Sequence, residues 1–164
     1  MKGSVLDLIE IIIILFTISL VLFVGYFALG EVEAPMVEVG FNGTSIDDAQ
    51  SALNIMDSLM PLVLVGLIIF VLISASMIET HPAMFAVSII ALIIVLILYM
   101  TMGNVFYEFS RTDAFLTTSN DLGNTIIIWD NILLIGFIFG LITMIALYAK
   151  YKSGSGGGIG GGSV

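Results

Sequence analysis

The sequence predicts an all-α integral membrane protein with four transmembrane helices and a short amphipathic interfacial helix. Four long stretches lack any charged residue: Ile11–Gly30, Ser58–Ile78, Pro82–Tyr107 and Asn131–Ala149. A helix rises about 1.5 Å per residue, so about 20 residues cross a hydrocarbon core of roughly 30 Å. The chain is 59% hydrophobic, which leaves too little polar surface to enclose four such helices in a soluble domain.

The spans form one membrane domain, residues 1–152, followed by a Gly-rich tail, residues 153–164. A domain of this size has room for four helices and two modest connections, and for no separate soluble domain. We place the four spans at about 8–30, 59–78, 82–106 and 128–149.

The first connection, Gly30–Thr44, contains three residues that interrupt helices, Pro35, Gly40 and Gly43. Together with the alternation of apolar and polar residues between them, they predict an extended loop or a short hairpin.

The interfacial helix is predicted at Ser45–Met60. Its apolar residues recur at helical spacing, and polar residues occupy most other positions. We expect it to lie on the membrane surface and to turn near Pro61 into the second span. A docking site for a partner protein is the alternative. The apolar stripe consists of Ile46, Ala49, Leu53, Met56 and Met60.

The second and third spans are separated by only a few polar residues, so we expect a tight antiparallel hairpin. Thr80 can cap the third helix, and Pro82 suits its first turn. The small residues Ser74 and Ala75 allow the two helices to approach closely. His81 is interpreted as a turn residue, with a pH-sensing or ligand-binding role as the alternative.

The second long connection, Asn104–Asp130, contains several aromatic residues that suit a belt at the level of the lipid headgroups. Its one basic residue, Arg111, is expected to pair with Glu108 or Asp113, which are its sequence neighbours. The belt residues are Phe106, Tyr107, Phe109 and Trp129.

Glycines at the end of the chain predict two kinds of close packing. Gly136 and Gly140 form a small-xxx-small pattern that favours a helix neighbour within the subunit, or one in another subunit. In the tail, glycine permits close approach to a partner protein, and free chain is the alternative. The expected partner-contact residues are Gly156, Gly157, Gly158, Gly160, Gly161 and Gly162.

Charge predicts the orientation of the spans. Lys2, Lys150 and Lys152 flank the termini, so both termini are expected in the cytoplasm by the positive-inside rule. The two long connections then lie on the opposite side and carry most of the acidic residues. Together with the predicted interfacial helix, that side carries ten acidic residues and one arginine, a net charge of −9. Such a surface would repel nucleic-acid phosphates, so we expect a lipid bilayer as partner and no direct nucleic-acid binding.

The residues of catalysis are largely missing. The chain has no cysteine and one histidine, and its spans lack charged residues in their middles. It contains no nucleophile–base set, no metal-ligand spacing and no phosphate loop. We therefore expect no enzymatic activity and no cofactor.

Three features of layout occur together between about Asp57 and the C-terminus: the short Thr80-His81-Pro82 turn, the Leu147-Tyr148-Ala149-Lys150 end of the last span, and the Gly-rich tail. In this layout the chain resembles small multi-span membrane proteins of lipid-containing viruses. The resemblance implies a structural virion component, located in the viral membrane in many copies. Its neighbours would be further copies, as a homo-oligomer, or viral shell and membrane proteins.

Two other functions remain open from the sequence. The first is a holin-like protein, which permeabilises membranes. A membrane subunit or channel of a cellular complex is the second alternative.

Overall fold

A computed structural model describes residues 7–40, 43–77 and 82–155 of the chain. These residues form helices joined by short turns and contain no β-strand. The elements are α1 (Asp7–Glu38), α2 (Thr44–Met77), α3 (Pro82–Ser110), a 3₁₀ turn (Asp113–Phe115), α4 (Leu116–Asp121), α5 (Gly123–Asp130) and α6 (Ile132–Ser155).

Four helices are long and apolar enough to cross a membrane, which confirms the all-α class and the number of candidate spans. Their apolar segments overlap the four stretches predicted from the sequence. The candidate spans are Leu8–Glu38, Thr44–Ile73, Ala86–Ser110 and Ile132–Ala149.

The four long helices form a ring in the order α1, α2, α6, α3. Helices α2 and α3, which are consecutive in the chain, therefore lie across a diagonal and do not form a closely packed pair. The predicted tight hairpin is therefore wrong for the described residues of these two helices, which do not pack closely against each other. Instead, α2 packs on α1 and α6, while α3 packs on α6 and α1. Short helices α4 and α5 close one end of this ring, called the α4–α5 end below.

The predicted loop or hairpin at Gly30–Thr44 is also wrong, because α1 continues to Glu38. Pro35 lies within its last turn, so α1 lacks the hydrogen bond that an N–H at this position would donate to the Glu31 carbonyl. The carbonyl of Pro35 still accepts the Val39 N–H at 3.2 Å, and Gly40 then leaves the helix with a φ of +90°. That left-handed conformation is one that glycine adopts without steric cost.

The separate interfacial helix does not form, since its residues are the first half of a continuous α2 of 34 residues. Pro61 lies inside this helix without ending it. The apolar stripe packs along α1 in part: a Cβ on Gly25 would lie 3.6 Å from Leu53 Cδ1, whereas Met56 is about half exposed. At about 1.5 Å per residue, α2 is about 51 Å long, well beyond a hydrocarbon core of roughly 30 Å. The helix is therefore longer than one membrane crossing requires.

Helix α1 contributes most to the core. Five of its large side chains have at most 2% of their surface exposed: Leu8, Ile12, Leu15, Leu22 and Phe23. They recur at three-, four- and seven-residue spacings, which places them along one side of the helix.

Helices α3 and α6 approach closely at two glycines. A Cβ on Gly136 would overlap the ring of Tyr99, and one on Gly140 would overlap the side chain of Leu92. The small-xxx-small pattern thus faces α3 of the same chain. Tyr99 cannot easily withdraw, because it is 2% exposed and its hydroxyl donates to the Leu8 carbonyl at 3.2 Å.

We predict that Gly136→Ala lowers the free energy of unfolding by about 1–3 kcal/mol, the usual cost of overpacking a core. Gly66→Ala is the matched control, because no atom lies within 4 Å of its Cβ position. It should leave stability unchanged or raise it by about 0.5–1 kcal/mol through helix propensity. Unfolding by SDS in mixed micelles measures the free energy of unfolding of both variants. Equal effects at the two glycines would contradict the close packing of α3 and α6 at Gly136, the α3–α6 seam.

Candidate functional site

The most distinctive polar group of the described chain is a buried carboxylate, Asp57 of α2, which is 3% exposed. Its Oδ1 accepts hydrogen bonds from the backbone N–H and the hydroxyl of Thr125, at 2.7 and 2.6 Å. Its Oδ2 accepts from the backbone N–H and the side-chain amide of Asn124, both at 3.1 Å. We call this arrangement the Asp57 clasp.

The Asp57 clasp supplies the hydrogen-bond acceptors that the N-terminus of α5 lacks. The first N–H groups of any helix have no acceptor within it, and they are usually bonded by the residue at the N-cap. The N-cap here is Leu122, whose side chain offers no acceptor. Asp57 provides both acceptors from another helix, and its negative charge lies at the positive end of the α5 dipole.

Two further buried hydrogen bonds attach α1 to its neighbours. The indole Nε1 of Trp129, in α5, donates to Ser19 Oγ at 2.8 Å. The Tyr99 hydroxyl donates to the carbonyl of Leu8. Together with the clasp, these bonds connect α1, α2, α3 and α5 by named polar contacts, each of which fixes a helix in register.

An aromatic cluster surrounds these bonds. Phe106 stacks on Trp129 with ring centroids 4.8 Å apart, and Phe23 meets Phe106 edge-on at 5.3 Å. Such pairs contribute about 0.5–1.5 kcal/mol each beyond their burial. The cluster joins α1, α3, the 3₁₀ turn and α5. Its rings are Phe16, Phe23, Phe27, Phe106, Phe109, Phe115 and Trp129.

The predicted aromatic belt is therefore wrong for two of its members. Phe106 and Trp129 are 1% and 3% exposed and belong to the core, and Phe109 is half-buried within the same cluster. Only Tyr107 is exposed. These rings are buried because α3 and α5 lie against α1, where aromatic side chains fill the space between three helices.

Arg111 pairs differently from the prediction as well. Its guanidinium lies 3.9 Å from the Asp130 carboxylate and 4.1 Å from the centre of the Tyr107 ring. Both charged side chains are about half exposed, so the ion pair contributes little to stability. Glu108 and Asp113 are neighbours in sequence, but Asp130 is reached because α5 ends beside the last turn of α3.

The outside of the bundle is apolar along each candidate span. Large aliphatic side chains there are more exposed than is usual for a protein in water, and they surround the ring on every helix. Examples with more than 60% exposure are Val21, Leu62, Ile90 and Ile145.

The other predicted site residues fall partly outside the described chain. Thr80, His81 and the six tail glycines lie beyond it, while α6 runs to Ser155, into the predicted tail. Pro82 is the first residue of α3. Ser74 and Ala75 belong to the last turns of α2, where side chains are outside the described set.

Within the described residues, no cluster of three or more histidine or acidic side chains could hold a metal ion. The Asp57 clasp is instead a structural site that was not predicted from the sequence. One signal was present: Leu53, Asp57 and Met60 lie four and three residues apart, on the same side of α2.

Comparison with known proteins gives no matching family model, no similar curated protein and no similar solved structure.

We predict that Asp57→Asn lowers the free energy of unfolding by about 2–3 kcal/mol, because charge-assisted bonds are lost and an amide NH₂ meets N–H donors. Asp48→Asn, on the exposed side of the same helix, is the control and should change stability by less than about 0.5 kcal/mol. Unfolding curves in mixed micelles compare the two. A similar small effect for both would show that the clasp does not hold α5.

Proposed function

We propose that this protein is an integral membrane protein with four spans and with both termini in the cytoplasm of the producing cell. Two observations support insertion: four helices of sufficient length and hydropathy, and large aliphatic side chains exposed on all of them. The orientation is supported by the lysines at the termini and by the acidic residues near the α4–α5 end.

The orientation predicts which side of the membrane is labelled. The chain has no cysteine, so single cysteines can be introduced without background. In intact cells, an impermeant maleimide should label Asp48→Cys and Asp113→Cys, whose positions are exposed. His81→Cys should react only after the cells are opened. Labelling of His81→Cys from outside, with the other two protected, would reverse the orientation.

We further propose a structural role: many copies packed in the membrane of a virus particle, as a homo-oligomer or against shell proteins. The observation that carries this proposal is that buried polar side chains mostly bond one helix to another. The buried polar side chains in the described residues are five hydroxyls and one carboxylate. Most of the bonds they make fix one helix against another, as in the Asp57 clasp and the Trp129–Ser19 bond. These contacts favour a stable helix bundle with an apolar outer surface, which suits a structural component of a membrane.

The viral setting is supported by the layout resemblance alone, which includes the Gly-rich tail. We propose that Gly156, Gly157, Gly158, Gly160, Gly161 and Gly162 contact a neighbouring shell or membrane protein. Glycine suits such a contact because no Cβ prevents close approach of the two backbones.

The test is the protein content of virus particles purified from cultures that produce this chain. We expect the chain in the particles at high copy, and we expect it to leave with the lipid when detergent is added. Deletion of residues 156–164 should reduce incorporation while the protein still enters the host membrane. Absence of the full-length chain from particles would refute the structural virion role.

Two other outcomes would identify a different function. Expression of the chain alone that releases cytoplasmic enzymes would indicate a holin-like protein. Co-purification with stoichiometric non-viral partners would indicate a subunit of a cellular membrane complex.

A further inference from the structure

A groove runs along the outside of the bundle between α3 and the α5–α6 junction. Its upper part, at the α4–α5 end, has a volume of about 440 Å³ and includes Asn104, Tyr107, Arg111 and Asp130 among its lining residues. Its lower part, about 430 Å³, is lined by Leu96, Leu133, Leu134 and Phe137. Leu133 lines both parts, so they meet at the beginning of α6.

The lower part of the groove has the chemistry of an acyl-chain site. Its four lining side chains are all apolar, and Leu133, Leu134 and Phe137 are each about half exposed. Leu96 and Asn104 are eight residues apart on α3, a distance of roughly 12 Å along the helix. That length is close to the hydrocarbon depth of one leaflet, which is about 15 Å.

The upper part ends in a pair of opposite charges at the level where a headgroup would lie. The guanidinium of Arg111 and the carboxylate of Asp130 are 3.9 Å apart, too far for a strong hydrogen bond. Both are open to solvent and could turn toward another charged group. The amide of Asn104 and the ring of Tyr107 line the same end.

We propose that this groove binds one phospholipid with a zwitterionic headgroup, its phosphate on Arg111 and its ammonium near Asp130. An arginine fork suits a phosphate, and a carboxylate suits an ammonium group. A lipid with a net negative headgroup fits less well, because Glu108, Asp113 and Asp130 lie close to the single arginine in sequence or space. The proposal rests on the membrane insertion proposed above.

The groove contains its own reporter, because Trp129 is the only tryptophan of the chain and lines the upper part. Bromine atoms on an acyl chain quench tryptophan fluorescence at short range. We would reconstitute the protein in vesicles of equal parts phosphatidylcholine and phosphatidylglycerol, with bromine on the chains of either one lipid or the other. Quenching by brominated phosphatidylcholine should exceed quenching by brominated phosphatidylglycerol.

Two pairs of variants locate the effect. Asp130→Asn should lower the preference for phosphatidylcholine about fivefold, because the contact of one partly exposed carboxylate with the ammonium group is lost. Its control, Asp48→Asn, changes an exposed charge of α2 that does not line the groove. Met100→Phe partly fills the upper groove and should reduce quenching, whereas Ile97→Phe, on exposed surface outside the groove, should not.

Equal quenching by the two brominated lipids would overturn the proposal while leaving membrane insertion intact. So would an unchanged preference in Asp130→Asn. Quenching by neither lipid would overturn both the site and the insertion on which it depends.

Discussion

The carboxylate of Asp57 is the interaction on which the α4–α5 end of the structure depends. It accepts four hydrogen bonds from Asn124 and Thr125 and thereby caps a helix that has no acceptor at its own N-cap. With α5 held there, Trp129 reaches Ser19 and stacks on Phe106. A buried carboxylate is costly without partners, so the clasp forms only when α2 and α5 are both in place.

The outside of the bundle differs from that of a soluble bundle, because it is apolar like the core. Large aliphatic side chains cover the outside of all four candidate spans, whereas hydroxyls, a carboxylate and an indole N–H make their bonds in the interior. In lipid, burial of apolar surface does not drive helices together, so close packing and interhelical hydrogen bonds must do so. The α3–α6 seam at Gly136 and the three buried polar contacts supply both kinds of interaction.

The number and approximate positions of the four long helices could be predicted, because hydropathy over about 20 residues is a local property. Their ends could not: Pro35 and Pro61 interrupt the local pattern, yet packing of α2 along α1 keeps both helices continuous. The clasp depends on residues 67 and 68 positions apart, so no local pattern names its partners. The spacing of Gly136 and Gly140 predicted a helix contact, but only the three-dimensional packing identifies Tyr99 as the neighbour of Gly136.

The most direct test of this account is hydrogen exchange at the amides of Asn124 and Thr125, measured with the protein in lipid nanodiscs. These amides stand at the start of α5, where a helix offers them no acceptor of its own, so only Asp57 can protect them. We expect slow exchange at both, comparable to the middle of α5, and fast exchange in Asp57→Ala, which removes both acceptor oxygens. Fast exchange at both amides in the unaltered protein would contradict this account.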